Sequence, residues 1–114
     1  MDRPNHIPKT FAALADPTRL AIIASLAARD DMTVQDIARP FDISLPAISQ
    51  HLKVLEQAGL IIRFRDGKKR PCRLNPTRLA EAQAWIINTR QAWEARLDRL
   101  EKFLAATKDK RHDQ

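Results

Sequence analysis

The sequence is poor in the residues that build disulfide frameworks and phosphate-binding loops. Its 114 residues include one cysteine, two glycines and no tyrosine, and no apolar run approaches the roughly eighteen residues of a membrane-spanning helix. A lone cysteine excludes an intramolecular disulfide, and two glycines leave no G-x-G-x-x-G or P-loop motif. Without a signal sequence, the chain is predicted to fold in a reducing cytosol, away from membranes and without a cofactor.

What the chain does have is enough apolar residues for one domain. Hydrophobic residues make up 44% of the sequence, and a chain of this length buries roughly two thirds of the surface that it exposes when unfolded. We therefore predict a single domain over residues 1–106 that folds without disulfides. Residues 107–114 are predicted to be a disordered polar tail.

Positive charge is concentrated in the middle of the chain. Residues 43–75 carry 7 basic and 2 acidic side chains, a net charge of +5, whereas residues 1–42 carry 5 and 6 and residues 76–114 carry 8 and 6. A basic segment within a near-neutral domain is typical of a polyanion partner, most often nucleic acid. A basic face kept for solubility would have the same charges, so charge alone leaves both interpretations open.

Helix start signals are frequent in the first half of the chain. Pro8 is placed to open a short helix, and Asp16 followed by Pro17 forms an N-cap with proline at the first helical position. Apolar residues then recur at helical spacing, at Leu20, Ile23 and Leu26. The sequence therefore predicts two helices before the charged break at 29–31.

Two further helices, over 33–39 and 44–58, have the proportions of a helix-turn-helix. Thr33 and Asp36 form a weak capping box at the start of the first, and Gly59 fits the left-handed position that closes the second. A tight turn joins the two helices. This pair is predicted to span residues 33–58.

The helix over 44–58 separates its side chains into two faces. The predicted core positions are Leu45, Ile48, Leu52 and Leu55, and the outward positions are Pro46, Ala47, Gln50, Lys53 and Gln57, with Ser49 at the edge. A small, polar outward face suits the DNA major groove, where Gln50 can pair with adenine and Lys53 can reach guanine or phosphate. An ordinary amphipathic surface helix is the alternative.

A β-hairpin is predicted directly after this helix, because the apolar residues change to alternation and Asp66-Gly67 marks a turn. The predicted inward positions of the first strand are Leu60, Ile62 and Phe64. Cys72 and Leu74 of the return strand share their face only if the loop holds an odd number of residues. We therefore expect a loop of three or five residues, with Gly67 at positive φ.

The outer positions and tip of this hairpin are basic, namely Arg63, Arg65, Lys68, Lys69 and Arg70. Such a hairpin is placed to reach the DNA backbone or the minor groove beside a major-groove helix. A helix-turn-helix followed by a basic hairpin over 60–74 is a winged helix. The predicted fold class is thus mainly α with a small β-hairpin.

The last predicted element is a long helix over 76–104, roughly 43 Å in length at the standard rise. Its apolar line is close to a heptad seam and comprises Leu79, Ala82, Ile86, Thr89, Trp93, Leu97, Leu100 and Leu104, with Trp85 and Phe103 on its flank. One interpretation is that this helix packs on the core of its own domain. The favoured one is dimerisation, because the stripe would otherwise be a large exposed apolar patch.

At this point the sequence resembles the ArsR family of bacterial winged-helix repressors. The resemblance covers roughly residues 8–104 and rests on LADPTRLAII from residue 14, SLPAISQHLKVLEQAGLI from residue 44, the Asp66-Gly67 hairpin and CRLNP from residue 72. It implies a homodimer held by the first and last helices, located in the bacterial cytoplasm on the nucleoid. It also implies a recognition helix that presents Ser44, Pro46, Ala47, Ser49 and Gln50 to DNA, and repression that a signal relieves.

The sequence departs from that family at the sensor positions. Arsenic- and cadmium-sensing members carry a Cys-x-Cys pair that aligns here with Thr33, Val34 and Gln35, and the last helix over 76–104 lacks the His ligands of zinc and nickel sensors. A metal site needs three or four converging ligands. We therefore predict no metal site, and interpret Cys72 as a small hydrophobic residue. The inducer, whether a small molecule or a protein, is left open.

Together these features predict a homodimeric repressor that binds double-stranded DNA at an inverted repeat. The predicted DNA contacts are Ser44, Pro46, Ala47, Ser49, Gln50, Lys53, Arg65, Lys68, Lys69 and Arg70, and the predicted dimer interface comprises Phe11, Leu14, Leu79, Ile86, Trp93, Leu97, Leu100 and Leu104. An enzyme is not expected, because no nucleophile, base and orienting group fall into a plausible constellation. The alternative is a winged-helix module that binds RNA or a protein partner.

Overall fold

The computed structural model describes residues 5–112, with side chains through residue 109. Its elements are α1 (Ile7–Leu14), α2 (Pro17–Ala28), α3 (Val34–Ala38), α4 (Leu45–Gln57), β1 (Ile61–Arg63), β2 (Cys72–Leu74) and α5 (Pro76–His112). The predicted fold class, mainly helical with one small hairpin, is confirmed. Where the sequence predicted one domain over 1–106, the structure divides the chain into two compact units between Ala82 and Gln83.

The predicted caps of α2, α3 and α4 are all present. The Asp16 carboxylate accepts a hydrogen bond from the Arg19 backbone N–H at 3.0 Å, and the Ser44 hydroxyl accepts one from Ala47 at 3.3 Å. Thr33 and Asp36 form the complete capping box, in which each side chain accepts from the other residue's backbone N–H. These bonds satisfy N–H groups that have no partner within their own helix, which fixes where each helix begins.

The core of the first unit lies where α2, α3, α4 and the hairpin meet. Its fully buried members include Ile22, Ile37, Ile48, Leu52, Leu55, Leu60 and Cys72. Leu20 shares the helical spacing of Ile23 and Leu26 but is not a core residue, since it is 53% exposed. Leu20 and Ile22 are two residues apart, which at about 100° per residue puts them on opposite sides of α2.

The hairpin has a different register and turn from those predicted. β1 and β2 are antiparallel with Ile61 opposite Leu74 and Arg63 opposite Cys72, so these four side chains share one face. Asp66 and Lys69 exchange backbone hydrogen bonds at 3.0 Å in both directions, which leaves a two-residue turn rather than a loop of three or five. Gly67 occupies its first position with φ +64°, as predicted and as type II′ turns require.

The error in the predicted face arises at Leu60, which belongs to the end of α4 and not to the strand. Leu60 N–H donates to Leu55 C=O and Gly59 N–H donates to Glu56 C=O, which is the Schellman pattern, with Gly59 at φ +78°. Leu60 is buried as the hydrophobic residue of this cap. The alternation therefore starts at Ile61, which is buried, and Ile62 is exposed.

Helix α5 continues to His112, so the prediction of a disordered tail is wrong for residues 107–112. No glycine or proline follows Pro76, the residues after Leu104 are mostly good helix formers, and the Thr107 hydroxyl donates to the Phe103 carbonyl at 2.9 Å. Residues 113 and 114 lie outside the described residues. Among residues 5–112 no single helix is long and apolar enough to cross a membrane. Helices α1 and α2 reach the length and apolar composition of a membrane span only when they are counted together, and they are bent by 101° relative to each other.

Candidate nucleic-acid interface

Helix α4 has one buried and one exposed face. Ile48, Leu52 and Leu55 are fully buried against the core, as predicted. Leu45 is not a core residue, because its side chain is 47% exposed. It occupies the first position of the helix, ahead of the buried positions, and lines a surface cleft beside the hairpin.

The opposite face of α4 presents the predicted contact residues to solvent. Ser44, Pro46, Ser49, Gln50 and Lys53 are exposed and Ala47 is half-buried. This surface combines short side chains at the helix N-terminus with an amide and an ammonium group one turn further on. Short side chains suit close approach to a major groove, where the amide and ammonium groups can hydrogen-bond to base edges.

A hydrogen-bond network that sequence reasoning missed anchors this helix to α1 and α2. The Arg19 guanidinium lies 3.2 Å from His51 Nδ1 on α4, and it also donates to the backbone carbonyls of Ala12 and Ala13 at the end of α1. The Asp16 carboxylate lies 3.9 Å from the same His51 nitrogen. Arg19 and His51 are 32 residues apart, and neither residue type signals this contact in the sequence.

The hairpin brings a compact group of cations to its tip. Because the turn is two residues long, Lys68 lies within the turn and Lys69 directly after it. Arg65, Lys68, Lys69 and Arg70 are all exposed. We call these four residues the basic wing. Exposed cations at the tip of a hairpin are suited to phosphate contacts, which position a protein on DNA without selecting a sequence.

The basic wing and α4 border a common cleft of about 600 Å³. Ser49 of α4 and the start of α3 line it on one side, and Lys68, Lys69 and Arg70 line it on another. Asp36 also lines this cleft. The pKa of its carboxyl is lowered, first by hydrogen bonding with the Thr33 side chain and second by the hydrogen bond from the Thr33 backbone N–H. The structure thus joins predicted contact residues from two separate segments around one concave surface.

Cys72 is positioned as a core residue. It is fully buried, and burial raises the pKa of its thiol in spite of the positive charge of Arg63 nearby. A buried thiol with a raised pKa holds little of the reactive thiolate at neutral pH. Within the part of the chain that the structure describes, no three His, Cys, Asp or Glu side chains converge in a way that could hold a metal ion.

The second unit, taken by itself, is a helix with exposed apolar side chains at the predicted seam positions. Trp93, Leu97, Leu100 and Leu104 are 53%, 40%, 52% and 55% exposed, and Ile86 is exposed as well. The Arg96 guanidinium lies 5.5 Å from the centre of the Trp93 ring. The other predicted interface residues, Phe11, Leu14 and Leu79, are half-buried in the first unit, where the two leucines pack against the core.

The fold and this surface define a winged helix-turn-helix protein. A family model described as a helix-turn-helix domain matches residues 14–63. The chain is 44% identical over 78 residues to the transcriptional repressor SdpR of Bacillus subtilis strain 168, which covers 68% of this chain and 86% of that protein. It is 33% identical to an ArsR family transcriptional regulator of known crystal structure, with a TM-score of 0.73 over 79% of this chain and 98% of the other.

The chain therefore belongs to the ArsR family of winged helix-turn-helix transcriptional regulators. A third relative in fold is the winged helix-turn-helix DNA-binding domain of Mb0332 from Mycobacterium bovis, described as homodimeric. It is 23% identical, with a TM-score of 0.61 over 79% of this chain and 83% of that domain. At this identity the likeness concerns the fold.

Proposed function

We propose that this protein is a transcriptional repressor that binds duplex DNA sequence-specifically as a homodimer. The observation that carries the proposal is the exposed polar face of α4, whose edge residue Ser49 lines one cleft together with three residues of the basic wing. The relationship to a named transcriptional repressor supports it. In this proposal the protein acts in the bacterial cytoplasm, on the nucleoid, and is not an enzyme.

The two parts of the surface have different tasks in this proposal. Gln50 and Lys53 lie on α4, where they select bases in the major groove. The basic wing contacts phosphates and contributes affinity that depends little on sequence. Ser44, Pro46, Ala47 and Ser49 allow the helix N-terminus to approach the DNA closely.

The homodimer is proposed from the apolar stripe of α5. Four exposed apolar side chains, Trp93, Leu97, Leu100 and Leu104, follow near-heptad spacing on the second unit, and a second copy of the same helix is complementary to such a stripe. Two protomers related by a two-fold axis would present their α4 helices to half-sites about 34 Å apart. The operator is then an imperfect inverted repeat.

We also propose that the signal that releases DNA is not a metal ion. The positions that align with the Cys-x-Cys pair of metal-sensing relatives are Thr33, Val34 and Gln35, and Thr33 caps α3 instead. One equivalent of zinc, cadmium or arsenite should leave the DNA affinity unchanged. Release of DNA by one equivalent would contradict this part of the proposal.

The central test compares selection of bases with binding of phosphates. Duplexes enriched by the wild-type protein from a random pool supply the cognate site for gel-shift titration. Gln50→Ala should cost roughly 1–3 kcal/mol on that site and much less on random DNA. Gln57→Ala, at the far end of the same exposed face of α4, is the matched control and should change neither affinity.

Salt dependence and RNA distinguish the proposal from its alternatives. Affinity for duplex DNA should fall by about a thousandfold or more between 50 and 200 mM salt if each protomer neutralises several phosphates. RNA of the same sequence should bind more weakly, because the narrow major groove of A-form RNA excludes a helix. Binding that is independent of salt, or preference for the RNA, would overturn the proposed function.

A further inference from the structure

Arg63 is the cation of the hairpin whose position differs most from the sequence-based expectation. It was predicted on the outer face, yet it lies opposite Cys72 on the face that also carries the buried Ile61. Its side chain is half-buried and lines the cleft between α3, α4 and the basic wing. Arg63 is therefore the one strand arginine of the hairpin that faces this concave surface.

The surroundings of Arg63 favour an anion. Lys68, Lys69 and Arg70 line the same cleft, and the Ser49 hydroxyl on α4 is a further potential donor. Among the described residues that line the cleft, Asp36 is the one with a carboxylate. That carboxylate already accepts a hydrogen bond from the Thr33 N–H and forms an ion pair with Arg39 at 3.5 Å. Four cations against one engaged carboxylate leave the cleft with excess positive charge.

The guanidinium of Arg63 also has unused hydrogen-bonding capacity. Its Nε atom is shielded from solvent and lacks an oxygen or nitrogen acceptor among the described residues, and the nearby Cys72 thiol is only a weak acceptor. A phosphate oxygen is a far better acceptor for a guanidinium than a thiol, and Arg63 lines the cleft that such a phosphate could enter. Arginine prefers phosphate because its N–H groups match two oxygens at once.

Arg73 on the partner strand provides an internal contrast. Its Nε and Nη2 atoms donate to the Asp31 carboxylate at 2.9 and 3.2 Å, and its guanidinium lies 4.8 Å from the centre of the Phe64 ring. The hydrogen-bonding groups of Arg73 are thus engaged on the opposite face of the hairpin. The two arginines share one hairpin and carry the same charge, but they differ in what they are free to bind.

We propose that Arg63 binds a backbone phosphate of duplex DNA in the cleft between α4 and the basic wing. This inference rests on the proposed function and adds a specific contact to it. The contact fixes the distance between the helix in the major groove and the wing on the flanking backbone. Arg63 is therefore a positioning residue, which acts equally on cognate and random DNA.

The test compares Arg63→Gln with Arg73→Gln, since each removes one positive charge from the hairpin. The slope of log affinity against log salt is measured for wild type and both variants on cognate and random duplexes. Arg63→Gln should lower the magnitude of the slope by about one on both duplexes, and Arg73→Gln should leave it unchanged. Arg63→Lys keeps the charge and should restore the slope. An unchanged slope in Arg63→Gln would overturn the inference.

A measurement on the wild-type protein keeps the proposal testable if Arg63→Gln does not fold. The Arg63 Nε–H resonance, assigned by its loss in Arg63→Lys, should shift on addition of duplex DNA and should shift much less with inorganic phosphate at equal ionic strength. An equal shift with inorganic phosphate would assign the cleft to a free anion and overturn the inference. Failure of the wild type to bind DNA would instead overturn the proposed function, so the two failures are distinguishable.

Discussion

Helices α4 and α5 carry apolar stripes of similar spacing, but among the described residues the stripe of α4 is buried in the first unit, whereas the part of the α5 stripe that lies in the second unit is exposed. Ile48, Leu52 and Leu55 of α4 are fully buried, whereas Leu97 and Leu100 of α5 are 40% and 52% exposed. Spacing determines on which side of a helix the apolar groups lie. It does not determine whether the cover comes from the same chain or from a second one.

The consequence is that the two stripes contribute to different equilibria. Burial in α4 stabilises the folded chain at any protein concentration. Burial of the α5 stripe against a second copy would contribute only as far as association occurs, so its contribution depends on protein concentration. Mutations in the two stripes should therefore separate folding from assembly.

The largest expected effect is on folding, from Leu52→Ala in the covered stripe. Removing a fully buried leucine side chain leaves a cavity and should lower the free energy of unfolding by about 2–5 kcal/mol. Urea denaturation at several protein concentrations measures this loss, which should be the same at each of them. Leu100→Ala is the matched substitution in α5, and a destabilisation of similar size that is independent of concentration would contradict the contrast between the stripes.

The next effect is on assembly, from Leu100→Asp in the exposed stripe. A carboxylate at the centre of the proposed interface should raise the dimer dissociation constant at least about 30-fold, equivalent to ~2 kcal/mol. Sedimentation equilibrium measures the change, and Ala95→Asp, on the opposite side of α5, should leave association intact. A wild-type chain that is monomeric at micromolar concentration would refute the proposed interface.

A smaller effect distinguishes the cap of α4 from the turn of the wing. Gly59 and Gly67 both have positive φ, so alanine at either position should cost about 1–2 kcal/mol through backbone strain. At Gly59 the added methyl group would also meet Arg78 Nε at 3.1 Å, whereas it would meet nothing within 4 Å at Gly67. Thermal unfolding should therefore show the greater loss for Gly59→Ala, and the reverse order would contradict the packing described at the end of α4.

The smallest expected effect is a dependence of stability on acid at the N-cap of α2. The hydrogen bond from the Arg19 backbone N–H lowers the pKa of Asp16 below its ordinary value. A lowered folded-state pKa means that the ionised carboxylate stabilises the fold above the ordinary pKa of about 3.9, and that this contribution disappears as pH falls through the lowered value. The difference in Tm between wild type and Asp16→Asn should therefore shrink below about pH 4. Parallel pH profiles would show that the charge of Asp16 is irrelevant to the cap.

Local rules determined much of this protein from its sequence alone. The starts of α2, α3 and α4 follow from Asp16, Thr33 and Ser44, because a cap depends on residues only three positions apart. The positive φ of Gly59 and Gly67 is likewise a local requirement. The exposure of Gln50 and Lys53 follows from the burial of their neighbours on α4. The resemblance to the ArsR family is inferred from sequence motifs that contain these local signals in the same order.

Tertiary structure decided the features that depend on residues far apart in sequence. Whether Leu60 belongs to a helix cap or to a strand decides which face of the hairpin is buried, and with it the position of Arg63. The network of Arg19 and His51 joins residues 32 positions apart. Leu45 is exposed although it lies on the same side of α4 as Leu52, and α5 continues past Leu104 because polar residues can extend a helix as readily as end it. Local sequence patterns determine the direction in which a side chain points. They carry no information about which residues, distant in the sequence, lie opposite that side chain in the fold.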